Sequence, residues 1–164
     1  MEVVSLLSVA KPVAIDMQLP RLVSIRDHHF YAHLINADSI IIDLGAHLGE
    51  FSSEMSKRFG CRCYALEALP SLYLKIKESD LIKKFNYAIT DTDGPVKFNI
   101  SKRAEGHSIR KLPADLVMGS VIVDGITLET FLNSNQLTSV DLLKVDIEGA
   151  EVELLNSMSD AVID

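Results

Sequence analysis

Apolar residues along this chain follow two rhythms, and the switches between them mark alternating strands and helices. Ser39-Ile40-Ile41-Ile42 is a nearly unbroken β-branched run, the mark of a strand buried on both faces of a parallel sheet. Phe51, Met55 and Phe59 then recur every four residues, as one face of a helix does, and Gly60 is placed to close that helix in a left-handed cap. Cys61 to Leu66 reads as a second strand ending at Glu67, and Pro70 opens a helix carrying Leu72 and Ile76. Phe85 to Thr90 reads as a third strand. Asp91-Thr92-Asp93-Gly94 is a turn signal, after which Val96, Phe98 and Ile100 alternate as in a further strand. Residues 102–120 are polar and irregular and read as a loop, with a short strand at Val121 to Val123. Leu128, Phe131 and Leu132 mark a helix that stops at Asn133-Ser134-Asn135. Asp141 to Asp146 forms the last core strand, followed by a helix bearing Val152, Leu154 and Leu155.

Such alternation implies an α/β fold, a mostly parallel sheet layered between helices and joined by right-handed crossovers. Upstream, Pro12 and Pro20 break any long helix. The stretch from Ser24 to Asn36 places Ile25, Phe30 and Leu34 among polar residues and reads as a short helix leading into the core. The expected division is an N-terminal extension, 1–38, without an assigned role, and a ligand-binding domain, 39–164.

Composition narrows the function classes. The chain of 164 residues is long enough for one domain with a real core. Its net charge of −7, with no basic run longer than a pair such as Lys57-Arg58 or Lys83-Lys84, argues against nucleic acid as a partner. No basic leader precedes the first apolar run, where Glu2 stands, and no apolar stretch approaches the roughly 20 residues that span a bilayer. Cys61 and Cys63 are too close in sequence for a disulfide and match no CxxC pattern. These features suit a cytoplasmic protein with reduced thiols and no membrane partner. His29 and His33 share the i, i+4 spacing of helical zinc ligands, but neither they nor His28 have a third ligand nearby, so no metal site is expected.

Three segments carry chemistry. In IIDLGAHLGEF, residues 41–51, a strand runs into a glycine-bearing turn, with Asp43 at the strand's carboxyl end. Gly45 removes a side chain where a ligand would lie, and Gly49 lets the next helix start close to the sheet. The spacing is D-x-G-x-x-x-G and not the G-x-G-x-x-G of dinucleotide binders, so a cofactor without phosphates fits better than one with a pyrophosphate. Glu67 lies 18 residues beyond Gly49, at the end of the second strand. A carboxylate there can span the two hydroxyls of a ribose. In DLLKVDIEGAEVELL, residues 141–155, Lys144, Asp146 and Glu148 share one face of a core strand. Burying such charges is costly unless they pair or bind something. For Lys144 a structural pair with Asp146 or Glu148 competes evenly with a site role, whereas Asp146 and Glu148 fall at the strand end beside the cofactor turn. His107, in GHSIR, reads as a mobile surface histidine more readily than as a general base.

These segments resemble the FkbM-type methyltransferases. The resemblance rests on VDIEGAEVELL preceded by Leu143-Lys144, on DLGAHLGEFS, YALEALP and NYAITDTDG, and on ITLETF ahead of the last strand, and covers about residues 39–158. It implies a Rossmann-like three-layer sandwich, S-adenosylmethionine as methyl donor, and a small-molecule hydroxyl acceptor such as a sugar or polyketide. It further implies that Asp43, Gly45, Ala46, His47 and Gly49 line the methionine and ribose side, that Glu67 holds the ribose, and that Tyr87 and Ala88 border the adenine. Asp146 and Glu148 would face the methyl group and acceptor, Asp146 being the first choice to orient or deprotonate the hydroxyl. Relative to that family the chain stops early, at Asp164, so the sheet is expected to be incomplete on its C-terminal side. Its last strand would then be covered by further chain or by another subunit of a homo-oligomer. Two rival readings are a nicotinamide-dependent oxidoreductase, which the missing third glycine opposes, and a truncated, non-catalytic domain that binds cofactor or a partner.

Overall fold

Buried apolar strand residues, Ile41, Ile42, Leu44, Cys63, Ala65 and Leu66 among them, fill the centre of the molecule. In the computed structural model, residues 21–102, 109, 113, 115–147, 150–151, 154–155 and 158 are described. Strand β3 (Ile40–Leu44) lies between β4 (Arg62–Leu66) and β9 (Leu142–Val145), and β5 (Ile82–Phe85) flanks β4. All three pairings are parallel. Ile41, Ile42, Asp43 and Leu44 are each 0 % exposed, so this strand is the floor of the core. Helix α1 (Glu50–Phe59) connects β3 to β4 and buries Phe51 and Met55, and Gly60 ends it in the left-handed conformation, φ 73°. The short helix α2 (Pro70–Tyr73) opens on its proline, as expected, but stops before Ile76. The arrangement is a Rossmann-like α/β fold with a mostly parallel sheet.

A second sheet of three strands, in the order β6 (Ala88–Ile89), β8 (Val117–Ile126) and β7 (Gly94–Ser101), stands beside the first. Two expectations are corrected here. The run Phe85 to Thr90 is not one strand: Asn86 leaves the ladder, its Nδ2 donating to the carbonyls of Glu67 and Ala68 at 2.8 and 2.9 Å, and the chain re-enters the other sheet at Ala88. Nor is the region before Val121 wholly a loop. Residues 117–126 form one long strand antiparallel to β7, in which Phe98 pairs with Val121. Its polar residues alternate onto the solvent side, which a one-faced sheet permits. Helix α3 (Leu128–Ser134) follows, capped by Thr127, whose hydroxyl accepts from the Thr130 N–H. Its Phe131 is fully buried against Tyr64 and Phe85. Burial of each such side chain is worth about 1.5–3 kcal/mol.

The expected helix at Ser24 to Asn36 is instead an antiparallel hairpin, β1 (Leu22–Ile25) and β2 (His28–Tyr31), followed by a single 3-10 turn at Ala32–Leu34. Val23, Ile25 and Phe30 point inward in strand alternation and join Ile41, Phe51 and Met55 in one core cluster. Leu34, which suggested helical spacing, is 59 % exposed. Among the described residues no helix is long and apolar enough to cross a membrane.

Candidate active site

The strand order reverses at β3: the chain moves outward through β4 and β5, then returns to β3's other side with β9. Such a switch point opens a crevice beyond the strands' carboxyl ends. A cavity of about 710 Å³ lies there, within the range of small-molecule sites. The loop after β3 forms one wall. Its backbone is tied to the end of β4, since the N–H groups of Gly45 and Ala46 both donate to the Leu66 carbonyl, at 3.0 and 2.9 Å. The turn holds three residues with left-handed φ: Gly45 at 75°, His47 at 54° and Gly49 at 75°.

Glu67, 7 % exposed, is a buried carboxylate in the wall of this cavity. Its Oε2 accepts from the His47 N–H at 2.8 Å and its Oε1 from the Leu69 N–H at 2.9 Å. Burial pushes its pKa above the ordinary glutamate value, against the pull of those two N–H groups. Each oxygen keeps a second lone pair that can accept from a ligand hydroxyl. Around it Ala68, Leu72, Ala88, Phe98 and Ile109 supply an apolar wall, the last two from regions the sequence pattern did not connect to the site.

Lys144 closes the floor. It stands directly opposite Asp43 across the β3–β9 ladder. Its Nζ lies 2.9 Å from Asp43 Oδ1, donates to the Gly45 carbonyl at 2.8 Å and reaches the Leu44 carbonyl at 3.4 Å. Ser52 Oγ donates to the other Asp43 oxygen at 2.7 Å. Asp43, expected on the methionine and ribose side, is thus engaged by the ammonium group of Lys144 and does not line the cavity. The principal partner of Lys144 is neither of those anticipated: Asp146 Oδ2 is 3.8 Å away, and Glu148 lies outside the described residues, as does His107. Gly49 also stands back from the cavity; a Cβ there would fall 2.8 Å from Ile76 Cγ2. At Gly45 the crowding atom is protein, since a Cβ would fall 1.9 Å from the Asp146 carbonyl oxygen. Gly45 thus lets the ends of β3 and β9 meet.

Of the other expected residues, Gly45, Ala46, His47, Tyr87, Ala88 and Asp146 line the cavity together with Glu67. Sequence reasoning missed the hairpin, whose Ser24, Arg26, Asp27 and His28 form the opposite wall. The available signal was the period-two burial of Val23, Ile25 and Phe30 around Arg26-Asp27. That turn lacks the glycine that usually announces a hairpin.

Fold and site define an α/β protein with a cavity at the topological switch point of its parallel sheet. Comparison with known proteins gives the family: a model of the methyltransferase FkbM domain matches residues 43–164. The chain belongs to the FkbM methyltransferase family. It is also similar to the hexuronic acid methyltransferase AglP of Haloferax volcanii, with 22 % identity over 130 residues, 76 % of this chain and 52 % of that protein. The chain thus spans about half the length of this curated relative. No solved structure matches the chain.

Proposed function

We propose that the chain is an S-adenosylmethionine-dependent methyltransferase acting on a hydroxyl of a sugar or similar small metabolite. The observation that carries this reading is Glu67, a buried carboxylate fixed by two backbone N–H groups beside an apolar wall, which pairs a hydrogen-bond acceptor for ribose hydroxyls with an apolar surface for a base. In this reading Glu67 accepts from the ribose hydroxyls, Tyr87 and Ala88 border the adenine, and Gly45, Ala46 and His47 flank the methionine portion. When bound, the cofactor supplies an electrophilic methyl group on a sulfonium. Asp146, whose side chain is half exposed at the cavity, orients the acceptor hydroxyl. The remaining loop chemistry opposes a dinucleotide. The N–H groups of Gly45, Ala46, His47 and Gly49 are all engaged within the protein, so they form no pyrophosphate cradle. The buried free thiols Cys61 and Cys63 suit a reducing compartment, and a cytoplasmic location forms part of the proposal.

The test is transfer of labelled methyl from S-adenosylmethionine to a panel of neutral and uronic-acid glycosides. Asp146→Ala should lose transfer by about a hundredfold or more while keeping S-adenosylhomocysteine affinity within a few-fold. Loss of transfer and affinity together would assign Asp146 to folding or cofactor binding instead.

A further inference from the structure

The N-terminal hairpin, which precedes the family-matched region, brings a histidine to the acceptor side of the cavity. Its turn residues Arg26 and Asp27 both adopt left-handed backbone, φ 49° and 64°, at a cost of about 1–2 kcal/mol each for side chains of this kind. Two contacts hold this turn. The Arg26 guanidinium pairs with Glu50 at the start of α1, and the His28 ring meets the Phe51 ring edge-on, centroids 5.4 Å apart. The result sets His28 Nε2 3.9 Å from Asp146 Oδ2. That separation is too long for a direct hydrogen bond. It is the spacing two groups take when both bond a single oxygen, each at about 2.8 Å.

We propose that His28 and Asp146 form the acceptor-hydroxyl site, the hydroxyl oxygen seated between Nε2 and Oδ2 with His28 as proton acceptor. The inference rests on the methyltransferase reading above. As a lone pair of the acceptor oxygen forms its bond to the methyl carbon, the carbon–sulfur pair leaves with sulfur as a neutral thioether. The hydroxyl proton passes to His28 Nε2 and from there to solvent. Imidazole suits this role better than a carboxylate because its ordinary value, about 6.5, lies near neutral pH. The imidazolium so formed faces Asp146 beyond β9, Glu50 on α1 and Asp27 in the turn, which favour it, and Lys144 and Arg26, which oppose it.

The experiment compares wild type with His28→Ala and His28→Gln in the same glycoside panel, with S-adenosylhomocysteine affinity measured by calorimetry. Both variants should keep that affinity within about twofold and lose kcat by about a hundredfold or more. Added imidazole should restore turnover to His28→Ala. The pH profile of kcat should differ between wild type and both variants, which lack the proton acceptor. A kcat within about tenfold of wild type, or an alanine variant that binds S-adenosylhomocysteine but is not rescued, overturns the assignment. Should the alanine variant fail to fold, the glutamine variant decides by its kcat and pH profile. A wild type that binds S-adenosylhomocysteine yet methylates no hydroxyl sinks the acceptor site alone. Absence of binding removes the underlying reading.

Discussion

Removing Lys144 tests the floor of the site. Lys144→Met keeps a chain of similar length but leaves Asp43, whose side chain is 0 % exposed, with the Ser52 hydroxyl as its one side-chain partner among the described residues. At 2.9 Å and an effective dielectric of about 20, the lost attraction is roughly 6 kcal/mol. Desolvating the pair offsets part of that, and removing one member of a buried pair costs about 3–5 kcal/mol. For a chain of 164 residues this lowers Tm by roughly 6–20 °C. Asp43→Asn should cost less, because Lys144 retains the carbonyls of Gly45 and Leu44. The double variant should recover at least about 1 kcal/mol relative to the sum of the singles. Thermal and urea unfolding of the four proteins read these differences. A Lys144→Met Tm within about 2 °C of wild type, or strict additivity, would refute the pairing as the organising contact of β3 and β9.

Three further outcomes follow from the geometry. Because burial raises the Glu67 pKa above the ordinary 4.5, its contribution to stability is present below that value and declines as pH rises through the raised one. Affinity for S-adenosylhomocysteine should run the opposite way, weakening as pH falls and the carboxylate gains a proton; calorimetry and unfolding across that interval should diverge. Gly45→Ala forces a Cβ against the Asp146 carbonyl at left-handed φ, and should destabilise by about 3 kcal/mol or more in urea unfolding, while a loss below about 1 kcal/mol would show that β9 can move aside. Cys61 and Cys63, 0 and 1 % exposed, should resist a thiol reagent such as Ellman's in the native protein and react fully in denaturant.

What was legible in the sequence was whatever local pattern dictates. Ile40 to Ile42, the four-residue spacing of Phe51, Met55 and Phe59, and Gly60 specify a strand, a helix and its stop within some twenty residues, and the structure has all three. The sheet partners of Asp43 were not legible. Its meeting with Lys144 depends on the register of two strands 101 residues apart, and sequence spacing pointed instead to Asp146 and Glu148. The glycine turn carried half its meaning: Gly45 lines the cavity but is also needed so that the Asp146 carbonyl can approach, and Gly49 makes room for Ile76 and stands back from the cavity. The hairpin was hidden because Arg26 and Asp27 adopt a turn conformation usually given to glycine or asparagine. Strand β8 was hidden because Met118, Ser120 and Asp124 face solvent, diluting the apolar signal of the other face.

The most direct test of the account is calorimetric titration of S-adenosylhomocysteine into the wild-type chain and into Glu67→Ala. Saturable one-to-one binding, weakened by about tenfold or more in the variant, is the result expected if the buried carboxylate receives a ribose. No heat with the wild type, or equal affinity in the two proteins, would contradict the assignment of this crevice to an adenosyl cofactor.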